Sequence, residues 1–180
     1  EGVEFQSHID GELFFLTPER ALEIQLALGS DILMVLDECT PYPISESEAR
    51  HSMELTLQWA KRSLAVPINS PLRFAIIQGS TYKNLRRECL ERLIEMGSWD
   101  GLAIGGLSVG EPKELLYEIA SETAALMPAE MPRYGMGLGL PEDLVTLIGF
   151  GIDMFDCVVP TRNARNGELF IPSGSIQIRH

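Results

Sequence analysis

Five short apolar runs, each followed by a stretch of helical periodicity, divide this chain almost from end to end. Ile32-Leu-Met-Val-Leu36 runs into Asp37, Phe74-Ala-Ile-Ile77 into Gln78, and Leu102-Ala-Ile104 into Gly105-Gly106. Arg133-Tyr-Gly-Met136 runs into Gly137, and Met154-Phe155 into Asp156-Cys157. Each run ends on a polar residue or a glycine where a loop begins. Strand and helix in strict alternation call for a parallel sheet buried on both faces. A doubly wound sheet and a barrel both satisfy that alternation. An open sheet concentrates its site at one switch point, whereas functional-looking residues stand here at every strand end, which favours the barrel.

The punctuation between the runs supports the same layout. Residues 3–16 alternate around the turn pair Asp10-Gly11 and predict an antiparallel hairpin set before the βα repeats. Thr17 is placed to cap a helix that has Pro18 in its first turn, and Gly29 ends it. Ser45-Glu-Ser-Glu48 has the spacing of a capping box, opening a helix that runs through Met53, Leu57 and Trp59 to about Ala65. Further helices are expected from after Gln78 to Gly97, from Pro112 through Leu126, and from Pro141 to near Gly149. The expected organisation is one domain over 1–180: a hairpin insertion at 1–16, βα repeats over 17–160 and a basic tail at 161–180.

Composition narrows the partners. With 45% apolar and 22% charged residues the chain resembles ordinary globular α/β proteins. No apolar run is long enough to span a bilayer, and the first residues lack a cleavable signal pattern, so a membrane partner is not expected. Cys39, Cys89 and Cys157 are odd in number and unpaired in spacing, which points to a reducing, cytoplasmic setting. His8, His51 and His180 are scattered, and no Cys/His group has zinc spacing. The net charge of −12 opposes polyanion binding except through a local basic patch. The leading patch is the tail, where Arg162, Arg165 and Arg179 stand against Glu168 alone.

Asp156 lies in the apolar run from Gly151 to Pro160, where a carboxylate is costly unless paired, hydrogen-bonded or functional. A plain loop cap would also account for it. Asp153, before the strand, reads as structural. Asp37-Glu38-Cys39 repeats the arrangement at the first parallel run, again with a loop cap and a small buried thiol as the ordinary alternative. Gln78 offers an amide, and Gly105-Gly-Leu-Ser-Val-Gly-Glu111 would let a planar ligand approach the backbone, although it lacks the spacing of a dinucleotide or phosphate loop.

Asp37-Glu-Cys-Thr-Pro-Tyr-Pro43, Gly105-Gly-Leu-Ser-Val-Gly-Glu111 and Asp153-Met-Phe-Asp-Cys-Val-Val-Pro-Thr-Arg162, with Arg165-Asn-Gly167, occur in this order. In these motifs, and over essentially its whole length, the chain resembles the bacterial-type tRNA-guanine transglycosylases (queuine tRNA-ribosyltransferases). The resemblance implies an α/β fold, a parallel TIM-type barrel with about five of its ~8 strands in this chain. It implies an enzyme that replaces guanine at the wobble position of tRNAs with GUN anticodons by a 7-deazaguanine base. By the same resemblance Asp156 is the nucleophile, forming a covalent ribose intermediate as retaining glycosidases do. Asp37, Cys39, Gln78, Gly105, Gly106, Leu107, Tyr134 and Met136 would bind the base. Gly137, Leu138, Gly139, Leu140, Pro141, Glu142 and Asp143 would contact the tRNA, together with Thr161, Arg162, Asn163, Ala164 and Arg165. Entry of a base into such a pocket requires that it leave its stack, as an anticodon loop permits.

Cys39 and Val109 resemble the family's bacterial branch, which implies the smaller 7-aminomethyl-7-deazaguanine as incoming base. Glu111 is expected to accept a hydrogen bond from a peptide near Leu107. The family pattern also holds three earlier strands carrying a second aspartate as general acid/base, and a later zinc motif. This chain would then be an inactive fragment without cofactor or metal, from a homodimeric zinc-containing enzyme. Two other readings remain open: a non-catalytic tRNA-binding partner subunit, and an unrelated barrel glycosidase or nucleosidase using Asp37 and Asp156.

Overall fold

The computed structural model describes residues 1–68 and 70–178. Strands β1 (Val3–Gln6) and β2 (Leu13–Leu16) form the antiparallel hairpin, with Val3 opposite Leu16 and Gly11 at φ +78° in the turn. The Phe5 and Phe14 rings stack across it at 5.5 Å. Helix α1 (Pro18–Ala27) is capped by Thr17, whose Oγ1 accepts from the Arg20 N–H at 3.1 Å, and Gly29 leaves it at φ +73°.

The parallel strands follow as β3 (Ile32–Met34), β4 (Leu72–Ile77), β5 (Gly101–Ile104), β6 (Arg133–Gly135) and β7 (Met154–Phe155), and their order in the sheet is their order in the chain. A doubly wound sheet reverses its order at the switch point, so the unbroken order decides for the barrel arrangement. The curvature is visible as well. Ile32 and Met34 of the first strand share one cavity of about 220 Å³ with Tyr134, Met154 and Phe155 of the last two. The two ends of the sheet therefore curl toward each other, giving a half-barrel preceded by an antiparallel hairpin.

Helices α2 (Glu46–Ala65), α3 (Lys83–Met96), α4 (Lys113–Leu126) and α5 (Pro141–Gly149) connect the strands, each packing on its predecessor. Ser45 closes its capping box with Glu48, as the spacing predicts. The core lies between this helix layer and the sheet: Leu57 and Ala60 from α2, Leu85, Leu90 and Leu93 from α3, and Ile119 and Ala120 from α4 cover Ile77, Leu102 and Ile104. Each of these leucine and isoleucine side chains contributes about 1.5–3 kcal/mol on leaving water. Gly101 begins β5 because the Phe74 ring occupies the space a Cβ would need.

The strand entrances share one device that no local pattern in the sequence discloses. The Arg73 N–H donates to Asp100 Oδ2 at 2.8 Å, and the Arg73 carbonyl accepts from the Asp100 N–H at 3.0 Å. Arg133 and Asp153 repeat both bonds at 2.9 Å. The two guanidinium groups reach back to helix-end carbonyls, those of Ser63 and Val66 for Arg73 and that of Met127 for Arg133. These pairs tie the end of the barrel away from the strand C-termini, where a structural role is expected. Asp153 therefore serves the framework.

Strand bounds differ from the sequence reading. The first parallel strand stops at Met34 instead of Leu36, whereas the last occupies Met154–Phe155, the run read from the sequence. Pro160 fixes a helical φ in the first turn of α6 (Val159–Arg165), which ends any extended run. Beyond it the basic tail is ordered as an antiparallel hairpin, β8 (Glu168–Ile171) and β9 (Gly174–Gln177), with Gly174 at φ +132°. Arg179 lies outside the described residues.

Candidate active site

The C-terminal ends of β3, β4 and β5 bring together Asp37, Gln78 and the Gly105-Gly106 turn. Gln78 Nε2 donates to Asp37 Oδ2 at 2.6 Å. A Cβ on Gly105 would stand 2.6 Å from Ile76 Cγ2 and 2.7 Å from Gln78 Nε2, so only glycine lets the amide lie against this backbone. Burial pushes the Asp37 carboxyl above its ordinary value, and the Gln78 hydrogen bond opposes that rise. Asp37 Oδ1 accepts nothing from neighbouring side chains among the described residues, which leaves it available to a ligand donor.

The loop after β3 is pinned from two sides. The Glu38 N–H donates to Thr56 Oγ1 at 3.0 Å, Ser52 Oγ donates to the Glu38 carbonyl at 3.0 Å, and Tyr82 Oη donates to the Ile44 carbonyl at 2.8 Å. Cys39 remains exposed at the rim, its thiol pushed up by burial and by the neighbouring Asp37 charge. Glu111 accepts from the Ser108 N–H at 2.5 Å and the Val109 N–H at 2.9 Å. The first is the N–H of the Leu107–Ser108 peptide, the expected contact.

Arg86 is a buried residue bordering the candidate site that the sequence reading does not single out. It lies on the buried stripe of α3 with Cys89, Leu90 and Leu93, and it is 1% exposed. No carboxylate pairs with it among the described residues. Instead Nε donates to the Ser80 carbonyl at 2.6 Å, and Nη2 to the carbonyls of Gly105 at 2.9 Å and Gly106 at 3.3 Å. Desolvation lowers its pKa to about 10, so it is still charged at neutral pH. The signal available in the sequence is a charged residue at helical spacing on an otherwise apolar stripe.

The ends of β6 and β7 form the second half of the site. Asp156 Oδ1 accepts from Tyr134 Oη at 2.6 Å and from the Gly137 N–H at 2.7 Å. Its Oδ2 has no hydrogen-bond partner among the described residues. One oxygen is thus held by two donors while the other is presented freely from an exposed position. Burial and the Asp156 carboxylate both push the Tyr134 phenol up, keeping it a protonated donor. Gly137 adopts φ +70°, and at Gly139 a Cβ would collide with the Cys157 side chain, so both glycines let the 137–140 loop lie beside the carboxylate.

Within that loop the side chains divide. Leu138 is 1% exposed and Asp143 is 5% exposed, and Asp143 accepts from Tyr117 Oη at 2.6 Å and pairs with Lys113 at 2.9 Å. These two support the loop from inside. Gly137, Pro141 and Glu142 face solvent, and Gly139 and Leu140 are half-buried. On α6, Thr161, Arg162, Ala164 and Arg165 are exposed and Asn163 is half-buried. Neither arginine has an acidic partner among the described residues. Met136 packs partly buried against the core.

The whole chain, residues 1–180, matches the family described as Queuine tRNA-ribosyltransferase. The chain belongs to the queuine tRNA-ribosyltransferase family. It is 57% identical to the queuine tRNA-ribosyltransferase of Pseudoalteromonas atlantica, over 100% of this chain and 49% of that protein. It is 55% identical to those of Caldanaerobacter subterraneus (99% of this chain, 48% of the relative) and Haemophilus ducreyi (100% and 48%). The chain spans about half the length of the curated relatives it matches. Among the described residues no three His, Cys, Asp or Glu side chains gather as metal ligands. No helix among them is long and apolar enough to cross a membrane.

Proposed function

We propose that this chain forms the nucleophile-bearing half of a cytoplasmic tRNA-guanine transglycosylase that exchanges the wobble guanine of GUN-anticodon tRNAs for 7-aminomethyl-7-deazaguanine. The observation that carries the reading is a pair of carboxylates at one strand-end face in contrasting settings. Asp37 is half-buried beside an amide and a glycine backbone, a surface that matches the flat hydrogen-bonding edge of a guanine-like base. Asp156 has one anchored oxygen and one free one, as a nucleophile needs.

In the proposed reaction Asp156 Oδ2 attacks C1′ of the ribose, and the C1′–N9 bond breaks with its electron pair going to the base. Guanine leaves after taking up a proton from a donor outside this chain. N9 of the incoming base then bonds to C1′ and gives its proton to a base outside this chain, while the Asp156 Oδ2–C1′ bond breaks and returns Asp156 as a carboxylate. Tyr134 and the Gly137 N–H hold the carboxylate in line. Arg162 and Arg165 meet RNA phosphates, which favours an RNA substrate over a small glycoside. The complete enzyme would bind zinc through residues elsewhere and act as a homodimer.

The test is a denaturing gel of the complete enzyme incubated with tRNA. Wild type is expected to yield a covalent RNA–protein adduct, and Asp156→Asn none while still binding tRNA. An adduct of wild-type yield from the variant would reject Asp156 as nucleophile.

A further inference from the structure

Burying Arg86 carries a cost, and the groups it bonds show what it holds. A guanidinium buried to 1% exposure, with no carboxylate beside it, is expensive to desolvate. Its hydrogen bonds run to main-chain carbonyls of two loops that both border the candidate base site. A hydrophobic residue on the same α3 stripe would fill the space more cheaply.

The consequence for the loop follows from peptide geometry. In a planar trans peptide the C=O and the following N–H point in opposite directions. With the Gly105 and Gly106 carbonyls drawn to Arg86 Nη2, the N–H groups of Gly106 and Leu107 turn away from Arg86. Both residues are buried, and neither N–H donates to a carbonyl or carboxylate among the described residues. The Gly106 N–H has the Cys39 sulfur, a weak acceptor, beside it. Buried amides with no acceptor, or only a weak one, are rare in proteins unless a ligand supplies a better partner. Glu111 acts on the next peptide in the opposite sense: by taking the Ser108 N–H it turns the Leu107 carbonyl away from itself. The loop therefore displays two donors and then one acceptor, the donors set by Arg86.

We infer that Arg86 is a positioning residue for base recognition, holding the Gly105–Leu107 backbone so that the Gly106 and Leu107 amides face an acceptor on the bound base. This rests on the proposed function. A 7-deazaguanine has no N7 lone pair, so the exocyclic carbonyl oxygen is the acceptor left on the base edge adjoining the donors that suit Asp37. Arg86 touches neither substrate nor Asp156 and acts only through the loop.

The test uses the complete enzyme carrying this chain, with Arg86→Met and Arg86→Lys. Guanine dissociation constants from calorimetry, KM and kcat for guanine exchange into tRNA, tRNA affinity and Tm are measured together. Arg86→Met is expected to raise the guanine Kd and KM about tenfold, equivalent to about 1.4 kcal/mol, with tRNA affinity unchanged within about twofold. Arg86→Lys keeps the charge but loses the fork that spans two loops, so a smaller rise of about threefold is expected. A purely structural role would lower Tm and the active fraction, hence apparent kcat, and leave Kd and KM for guanine at wild-type values. That outcome overturns the inference, and if Arg86→Met fails to fold, an unchanged guanine Kd in Arg86→Lys does so alone. Absence of exchange by wild type would instead refute the parent function, while the guanine Kd comparison still decides on Arg86.

Discussion

Replacing Asp37 by Asn separates the demands of the site from those of the fold. The substitution keeps the shape and can keep the bond from Gln78 Nε2, which lies 2.6 Å from Asp37 Oδ2. It removes the charge and puts an amide N–H₂ where Oδ1 should accept from a base donor. A hydrogen bond to a charged acceptor contributes about 1.5–3 kcal/mol. With about 1.4 kcal/mol per decade, the guanine KM of the complete enzyme should rise ~10–100-fold for one such bond. Stability should move the other way. Burial raises the folded-state pKa of Asp37 above 3.8. A carboxyl raised on folding supports the fold fully below its unfolded pKa, and that support is lost as pH rises through the folded value. At neutral pH the ionised Asp37 therefore burdens the fold, and Asp37→Asn should increase Tm. The wild-type guanine KM should climb as pH falls through the raised pKa, while the variant stays flat over the same window. Exchange kinetics across pH and a melting curve at about pH 7 check both halves. A guanine KM unchanged by the substitution, or a lower Tm at neutral pH, would refute the assignment of Asp37 as a partly desolvated base acceptor.

Three further outcomes are expected. Gly105→Ala places a methyl 2.6 Å from Ile76 Cγ2 and 2.7 Å from Gln78 Nε2. It should cost about 1–3 kcal/mol by overpacking and weaken guanine binding, and urea unfolding with a guanine titration would show it. Arg162→Ala with Arg165→Ala should weaken tRNA binding and reduce the salt slope by about 1 for each phosphate no longer neutralised, leaving guanine affinity alone. An unchanged slope counts against α6 as the RNA surface. Residues 1–180 expressed alone should self-associate and fail to exchange guanine, because β3 and β7 each pair on one side only among the described residues. A monodisperse, active monomer by light scattering and exchange assay would overturn that expectation.

Local chemistry is enough to read much of this molecule. Helix starts are set by caps and prolines within a few residues, so Thr17, Ser45 and Pro141 mark α1, α2 and α5 correctly. The turn pair Asp10-Gly11 marks the first hairpin for the same reason. The later hairpin escapes that reading although the apolar Leu169-Phe-Ile171 and Ile176 flank the turn at Gly174, because the arginines nearby suggest a solvated tail. Strand ends are overextended because an apolar run does not reveal how many of its residues find a ladder partner. That depends on the neighbouring strand.

The choice between barrel and doubly wound sheet likewise needs the strand order and the curl that bring Ile32 and Phe155 to one cavity. Candidate residues at the strand ends can be named from the sequence, since polar side chains punctuating apolar runs are a one-dimensional signal. Their partners cannot. Asp37 and Gln78 are 41 positions apart, Asp156 and Tyr134 are 22 apart, and Arg86 reaches Gly105 across 19. Hydrogen bonds span about 3 Å whatever the separation along the chain, so only the folded arrangement decides which carboxylate is sheltered, which oxygen is free, and which arginine is occupied in holding a loop.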